Sequence, residues 1–132
     1  MHFKMIKSIP IMACITMIAC NAEITSEGDF IACTTVFAPA LKVDVFDKNT
    51  GFPGACGVTV MLQDGDFFEK LTHAAGDVCD ESFTFSGAGE REGTYDITVT
   101  KEGYVDWYQY DVAVSSNLCH VNTVSLQAYL EK

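Results

Sequence analysis

The chain has 132 residues, with 18 acidic and eight basic side chains and a formal charge of −10. This length suits one domain rather than two. An acidic chain without a basic stripe cannot release counterions from phosphates, so nucleic acid is excluded as a partner. The same charge excludes electrostatic adhesion to anionic lipid.

Residues 1–19 have the pattern of a secretory signal peptide. Lys4 and Lys7 supply a short basic head, and residues 8–19 form an apolar run without charge. This run is shorter than the about 20 residues that a membrane-spanning helix needs. We therefore predict a segment that is removed by processing.

The signal ends in a cysteine motif. Met17-Ile18-Ala19-Cys20 resembles the bacterial lipobox, with a bulky apolar residue three positions before the cysteine and a small residue just before it. The resemblance implies a lipoprotein of the cell envelope, cut before Cys20 and held in the membrane by acyl chains there. Asn21 stands where an inner-membrane retention signal usually has Asp, which implies the outer membrane in a cell that has one.

Two alternatives to this interpretation stay open. Cys20 could be an unmodified apolar residue late in a plain signal peptide. Cleavage could also occur before Cys14, although that site would leave a shorter apolar run and expose residues 15–19 on the mature protein.

A tether and then a series of strands follow the signal. Residues 20–40 comprise the lipidated cysteine and a tether, because no periodicity is sustained there. Residues 41–132 form the domain. Its first two strands are predicted from apolar residues that alternate with polar ones, namely Leu41, Val43 and Val45, then Val58, Val60 and Leu62.

A tight hairpin is predicted between the second and third strands. Asp64-Gly65 separates residues 58–63 from residues 67–72. Asp-Gly favours a type I′ turn, in which both central residues have positive φ. The two strands should therefore be antiparallel neighbours.

The remaining chain predicts four further strands. Phe83 and Phe85 indicate a short strand before Gly87, and later strands are predicted at residues 95–99, 104–114 and 119–130. Val121 and Val124 cannot share a face in strict alternation, so a bulge is expected near Asn122. About seven short strands with little helical periodicity predict a single antiparallel β-sandwich.

Several of these segments resemble one family. The chain is similar over residues 41–130 to the carboxypeptidase regulatory-like domain, a transthyretin-like β-sandwich. The matching segments are Asp47-Lys48-Asn49-Thr50-Gly51, Pro53, Gly57-Val58-Thr59-Val60, Gly93-Thr94-Tyr95-Asp96-Ile97-Thr98-Val99 and Gly103-Tyr104. The resemblance implies an accessory domain without catalysis. Gly51 and Gly103 suit positive φ, and the hydroxyls of Tyr95 and Tyr104 can reach the backbone at a sheet corner.

Four cysteines remain if Cys20 is lipidated, and they predict two disulfides with three connectivities open. We favour Cys56–Cys79, which brackets the hairpin, together with Cys33–Cys119, which ties the tether to the last strand. The alternative is a zinc site, but paired Cys-x-x-Cys spacing is absent. The acidic loop residues Asp64, Asp66, Asp77 and Asp80 are weak calcium candidates, because their spacing matches no EF-hand loop.

The aromatic residues at 104–110 are candidates for ligand contact. Alternation places Trp107 opposite Tyr108 and Tyr110, so at least one ring should face solvent and could contact a glycan or a protein. The structural alternative is that these rings cover the sandwich edge.

The mature chain has two histidines, His73 and His120, and no serine in a Gly-x-Ser-x-Gly elbow. The transthyretin-like hydrolases end in Tyr-Arg-Gly-Ser, from which Tyr129-Leu130-Glu131-Lys132 departs. We therefore expect a non-catalytic binding or structural module without a cofactor, which recognises a protein or a glycan. A small hydrolase that uses His73 or His120 is the alternative.

Overall fold

The computed structural model describes residues 32–73 and 78–132, and their regular secondary structure is all strand. The seven strands are β1 (Leu41–Asp47), β2 (Val58–Asp64), β3 (Phe67–Thr72), β4 (Phe85–Gly87), β5 (Gly93–Lys101), β6 (Trp107–Val114) and β7 (Val124–Leu130). Within these ranges, no helix has the length and apolar character needed to cross a bilayer.

The strands form two sheets that pack as a sandwich, which confirms the predicted fold class. One sheet has three strands in the order β4-β1-β7, and the other has four in the order β3-β2-β5-β6. The core between them is made by the alternating apolar positions that the sequence predicts. Its largest members are Tyr95, Phe85, Leu41, Leu62, Ile97, Leu130, Val43, Val58, Val60 and Val99.

One pairing differs from the antiparallel sandwich that the sequence predicts. β1 and β7 are parallel over their whole length, from Leu41 beside Val124 to Asp47 beside Leu130. The other strand pairs are antiparallel. The reason is the connection before β7. β6 finishes at the end of the sandwich where β1 begins, so a chain that crosses to the other sheet there must run alongside β1 in the same direction.

The two ends of the sandwich carry different segments. We call residues 33–40, 87–92 and 115–123 the tether end, because Ala40 bonds Ala88 and Val124 there. We call residues 48–57, 78–84 and 101–106 the far end, where Ala55 N–H donates to the Glu81 carbonyl.

The hairpin between β2 and β3 forms as predicted, but its loop lies one residue later. Asp64 pairs with Phe67, so Gly65 and Asp66 are the loop residues. Gly65 has φ +56°, whereas Asp66 does not have positive φ. Glycine at the first loop position is the arrangement of a type II′ turn. The predicted type I′ turn was wrong, because Asp64 continues the strand opposite Phe67 and Asp66 lacks the positive φ that this turn requires.

The bulge is also in a different place from the prediction. β7 begins at Val124, and residues 115–123 form a loop that is closed by a bridge between Ser116 and Val121. Val121 and Val124 therefore never share a strand, and no bulge is needed near Asn122. The irregularity lies in β6 instead, opposite residues 95–97 of β5, where Asp111 has φ +55°.

Two tyrosine hydroxyls form hydrogen bonds at the corners of the four-stranded sheet. The hydroxyl of buried Tyr95 donates to the Arg91 carbonyl at 2.6 Å, as expected from the sequence. Arg91 also pairs with Asp64 at 2.8 Å. The hydroxyl of Tyr104 bonds a carboxylate instead of backbone, at 2.7 Å from Asp47. This bond is the largest cause of the lowered pKa of Asp47 and of the raised pKa of Tyr104.

Replacing Tyr95 by Phe should destabilise the domain without changing its fold. The substitution removes the donor to the Arg91 carbonyl in a partly buried place, which should cost about 1–3 kcal/mol of unfolding free energy. Urea denaturation measures this. Tyr129→Phe is the matched control, because its hydroxyl bonds only at the exposed surface. Equal stability of both variants would contradict the role of the Tyr95 bond.

Candidate functional site

The outward side of the four-stranded sheet is a broad solvent-exposed surface, which we call the outer face. On β2 and β5 its residues alternate with buried ones, and on β3 they alternate with half-buried ones. They are Thr59, Met61 and Gln63 on β2, Phe68, Lys70 and Thr72 on β3, Thr94, Asp96, Thr98 and Thr100 on β5, and Tyr108 and Tyr110 on β6. Hydroxyl groups and aromatic rings dominate this surface.

Tyr108 and Tyr110 are the most exposed aromatic residues at the β6 side of the outer face. Their side chains are 50% and 63% accessible, and their rings lie nearly parallel with centroids 5.9 Å apart. Trp107 faces the opposite way and packs against the core. The structure therefore places Trp107 opposite the tyrosine pair, as alternation predicts.

The bulge in β6 explains how one strand has both an exposed aromatic pair and a buried end. Tyr110 points outward, whereas Val112 points inward and is 8% exposed. Strict alternation would put these two residues on the same face. The extra residue at Asp111, whose backbone N–H donates to the Asp96 carboxylate, reverses the alternation between them.

Carboxylates surround the tyrosine pair. Asp106 accepts the Tyr108 hydroxyl at 3.2 Å, and its negative charge is the first cause of the raised pKa of that hydroxyl. Asp96 and Asp111 lie beside the bulge next to Tyr110. The site thus combines aromatic rings with oxygen acceptors and repels anionic ligands.

The tether end is held by a disulfide and by one carboxylate. Cys33 and Cys119 are bonded, with Cα atoms 5.2 Å apart, which confirms the favoured pairing. Glu90 accepts hydrogen bonds from the backbone N–H groups of Ala38 and Val121 and from His120. The bond from Ala38 is the largest cause that lowers the pKa of Glu90, followed among the lowering causes by His120.

His120 connects a hydroxyl to this carboxylate. Its Nδ1 lies 2.7 Å from Glu90 Oε1, and its Nε2 lies 3.0 Å from the Thr34 hydroxyl. Because an ionised carboxylate only accepts hydrogen bonds, Nδ1 donates the bond to Glu90, and in a neutral imidazole Nε2 is then the acceptor for the Thr34 hydroxyl. The order hydroxyl, imidazole, carboxylate is that of an activated nucleophile. Thr34 and Glu90 could not be identified from the sequence, because they are 86 and 30 residues from His120 in the chain.

His73 lies at the far end, so the two histidines do not meet. Its Nε2 accepts the backbone N–H of Asp80 at 3.1 Å, and its ring stacks on Phe83 at 4.1 Å. Two grooves, of about 230 and 260 Å³, both border Phe83 rather than His120. His73 thus has contacts that shape a loop beside these grooves.

The positions of the second disulfide and of the acidic residues can be compared with the metal sites considered from the sequence. Cys56 and Cys79 are bonded, as predicted, with Glu81 beside them. The disulfide sulfurs are not thiolates, the form in which cysteine binds zinc. Of the calcium candidates, Asp64 and Asp66 lie at the hairpin near the tether end, whereas Asp80 is at the far end, where it accepts the backbone N–H of Ser82. The structure does not bring these three together.

Cys20 and Asp77 lie outside the described residues.

Comparisons with protein-family models, with curated proteins and with solved structures found no match to this chain.

The pKa of Glu90 predicts an acid-dependent loss of stability. A carboxylate whose pKa is lower in the folded state stabilises the fold above the unfolded-state pKa, which is about 4.3 for Glu. This contribution is lost as the pH falls from about 5 through the lower folded-state pKa. In urea denaturation from pH 7 to pH 3, wild type should lose more stability than Glu90→Gln. Parallel profiles would contradict the prediction.

Proposed function

We propose that the chain is an envelope lipoprotein anchored at Cys20, whose sandwich is a non-catalytic module that binds a neutral glycan. The tyrosine pair on the outer face carries this proposal. Exposed, nearly parallel rings offer apolar surfaces for the C–H groups of a sugar. Accessory character also agrees with the resemblance to carboxypeptidase regulatory-like domains.

The polar groups around the pair favour a glycan over other ligands. The carboxylates of Asp96, Asp106 and Asp111 accept hydrogen bonds, and sugar hydroxyls donate them. The threonine hydroxyls on β2 and β5 can donate or accept along the sheet. An anionic ligand would be repelled by the carboxylates and by the net charge of −10. A protein partner is the other candidate ligand, and the binding test below discriminates it.

Anchoring at Cys20 is supported by the lipobox resemblance and by the number of cysteines that remain unpaired. The four cysteines of the described residues are joined in two disulfides. Cys20 is then the one cysteine of the mature chain left for acylation. Two or more acyl chains on it would hold a soluble domain stably at a membrane, whereas one chain holds only marginally.

Cys20→Ser should abolish acylation and release the protein from the membrane fraction. Mass spectrometry of the N-terminal peptide from membranes of the producing cell should show an acylated Cys20 in the wild type. Cys14→Ser is the matched control and should change neither acylation nor location. An unmodified or disulfide-bonded Cys20 would reject the anchor.

Loss of both tyrosines should weaken glycan binding while the fold is retained. Binding is measured by retention on cellulose, chitin, amylose and purified peptidoglycan. Two rings at roughly 0.5–1.5 kcal/mol each predict binding that is weaker by about 5- to 150-fold in Tyr108→Ala/Tyr110→Ala. Tyr129→Ala, an exposed tyrosine on the other sheet, should bind like the wild type. If no glycan retains the wild type but a basic protein does, the proposed glycan ligand is wrong and the ligand is a protein.

The contacts of His120 favour one second candidate, a small hydrolase. Thr34 would be the nucleophile, His120 its general base, and Glu90 the group that orients the imidazole. Against it, Glu90 also holds two backbone N–H groups of the tether end, which is a structural role. Hydrolysis of a chromogenic ester that disappears in both Thr34→Ala and His120→Ala would decide for the hydrolase.

A further inference from the structure

Three apolar side chains at the tether end are exposed to solvent. Val36, Phe37 and Leu118 are 68%, 71% and 81% accessible. The disulfide between Cys33 and Cys119 joins the two segments that carry them. We call these three side chains the apolar rim.

The position of the rim is fixed by contacts beneath it. The Phe37 ring lies directly over Gly89, so that a Cβ at position 89 would overlap the ring. Leu118 lies within residues 117–120, where the Asn117 side chain accepts the backbone N–H groups of Cys119 and His120. The rim is therefore presented by an ordered surface.

The nearby carboxylates are bonded within the protein. Glu90 accepts from Ala38, His120 and Val121, and Glu92 accepts the Ser116 hydroxyl at 2.6 Å. These internal donors occupy oxygens that would otherwise require water. An apolar surface beside satisfied carboxylates suits an uncharged or zwitterionic interface better than an anionic one.

The rim lies where the chain arrives from Cys20. Thirteen residues, 21–33, connect that cysteine to the disulfide. A chain of this length reaches at most about 45 Å. An anchor at Cys20 would therefore keep the tether end close to the bilayer, at a high effective concentration at which weak apolar contacts suffice.

We propose that the apolar rim rests on the lipid surface in which Cys20 is anchored. It depends on the lipid anchor at Cys20 that is part of the proposed function. Val36, Phe37 and Leu118 enter the headgroup region, as apolar side chains of interfacial proteins do. The strands then rise from the membrane, and the far end is held away from it, with the outer face open to ligand.

The test places a tryptophan at the rim of the anchored protein. The mature chain from Cys20 is coupled through that thiol to a maleimide lipid in phosphatidylcholine vesicles with brominated acyl chains. The disulfides protect the other four cysteines. Phe37→Trp and Leu118→Trp should each show a loss of emission relative to vesicles without bromine, and a blue shift relative to the uncoupled chain in solution.

The matched control is Phe52→Trp, since Phe52 is also 71% accessible but lies at the far end. Its added emission should be unchanged by bromine. Trp107 supplies the same background in every variant. Equal quenching at positions 37 and 52, or none at 37 and 118, would overturn the proposal. So would a dimer in sedimentation of the uncoupled chain that Phe37→Asp abolishes, because the rim would then bind a second copy.

This test separates the rim from the anchor, because the coupling supplies the lipid chemically. Quenching at positions 37 and 118 supports the rim even if mass spectrometry finds no acyl group on Cys20 from cells. In that event only the proposed cellular anchor fails. Acylated Cys20 without quenching rejects the rim and leaves the anchor standing.

Discussion

The parallel pairing of β1 with β7 is the contact on which the rest of the structure depends. It joins the first and last strands over seven residues and buries Leu41, Val43 and Val45 against the second sheet. Because both strands begin at the same end, residues 33–40 and 115–123 are brought side by side. The Cys33–Cys119 disulfide becomes possible only through that alignment.

The same alignment explains why the tether end is bonded so extensively. Glu90 arrives from the connection between β4 and β5, and it satisfies donors on both neighbouring segments. Thr123 adds a hydrogen bond from its hydroxyl to the Pro39 carbonyl at 2.6 Å. His120 is part of this set of contacts, which accounts for its position without any need for catalysis. A nucleophile role for Thr34 would have to coexist with that structural role.

The outward position of Tyr110 on the outer face depends on a different feature, the bulge at Asp111. Without the extra residue, burying Val112 and Val114 would turn Tyr110 inward. The bulge lets one edge strand close the core at one end and present two rings at the other. A bulge that re-aims side chains is a common feature near binding sites. The tyrosine pair is thus a product of backbone geometry as well as of composition.

The sequence by itself determined the local features. Alternation at positions such as Tyr95 and Ile97 identified the buried faces, and the outward position of Tyr108 followed from the same period of two. The Cys56–Cys79 disulfide could be favoured because it brackets the predicted hairpin. These succeed because they depend on neighbours in the chain, where side-chain direction and turn chemistry act directly.

Only the tertiary structure decided the long-range features. The parallel direction of β7, the contact of His120 with Thr34, and the collection of donors by Glu90 join residues up to 86 positions apart. The hairpin loop lies one residue later than predicted, and Asp64, which stays in the strand, pairs with Arg91 from a distant connection. No spacing within the chain encodes such contacts, since they depend on which strand ends the packing of two sheets brings together.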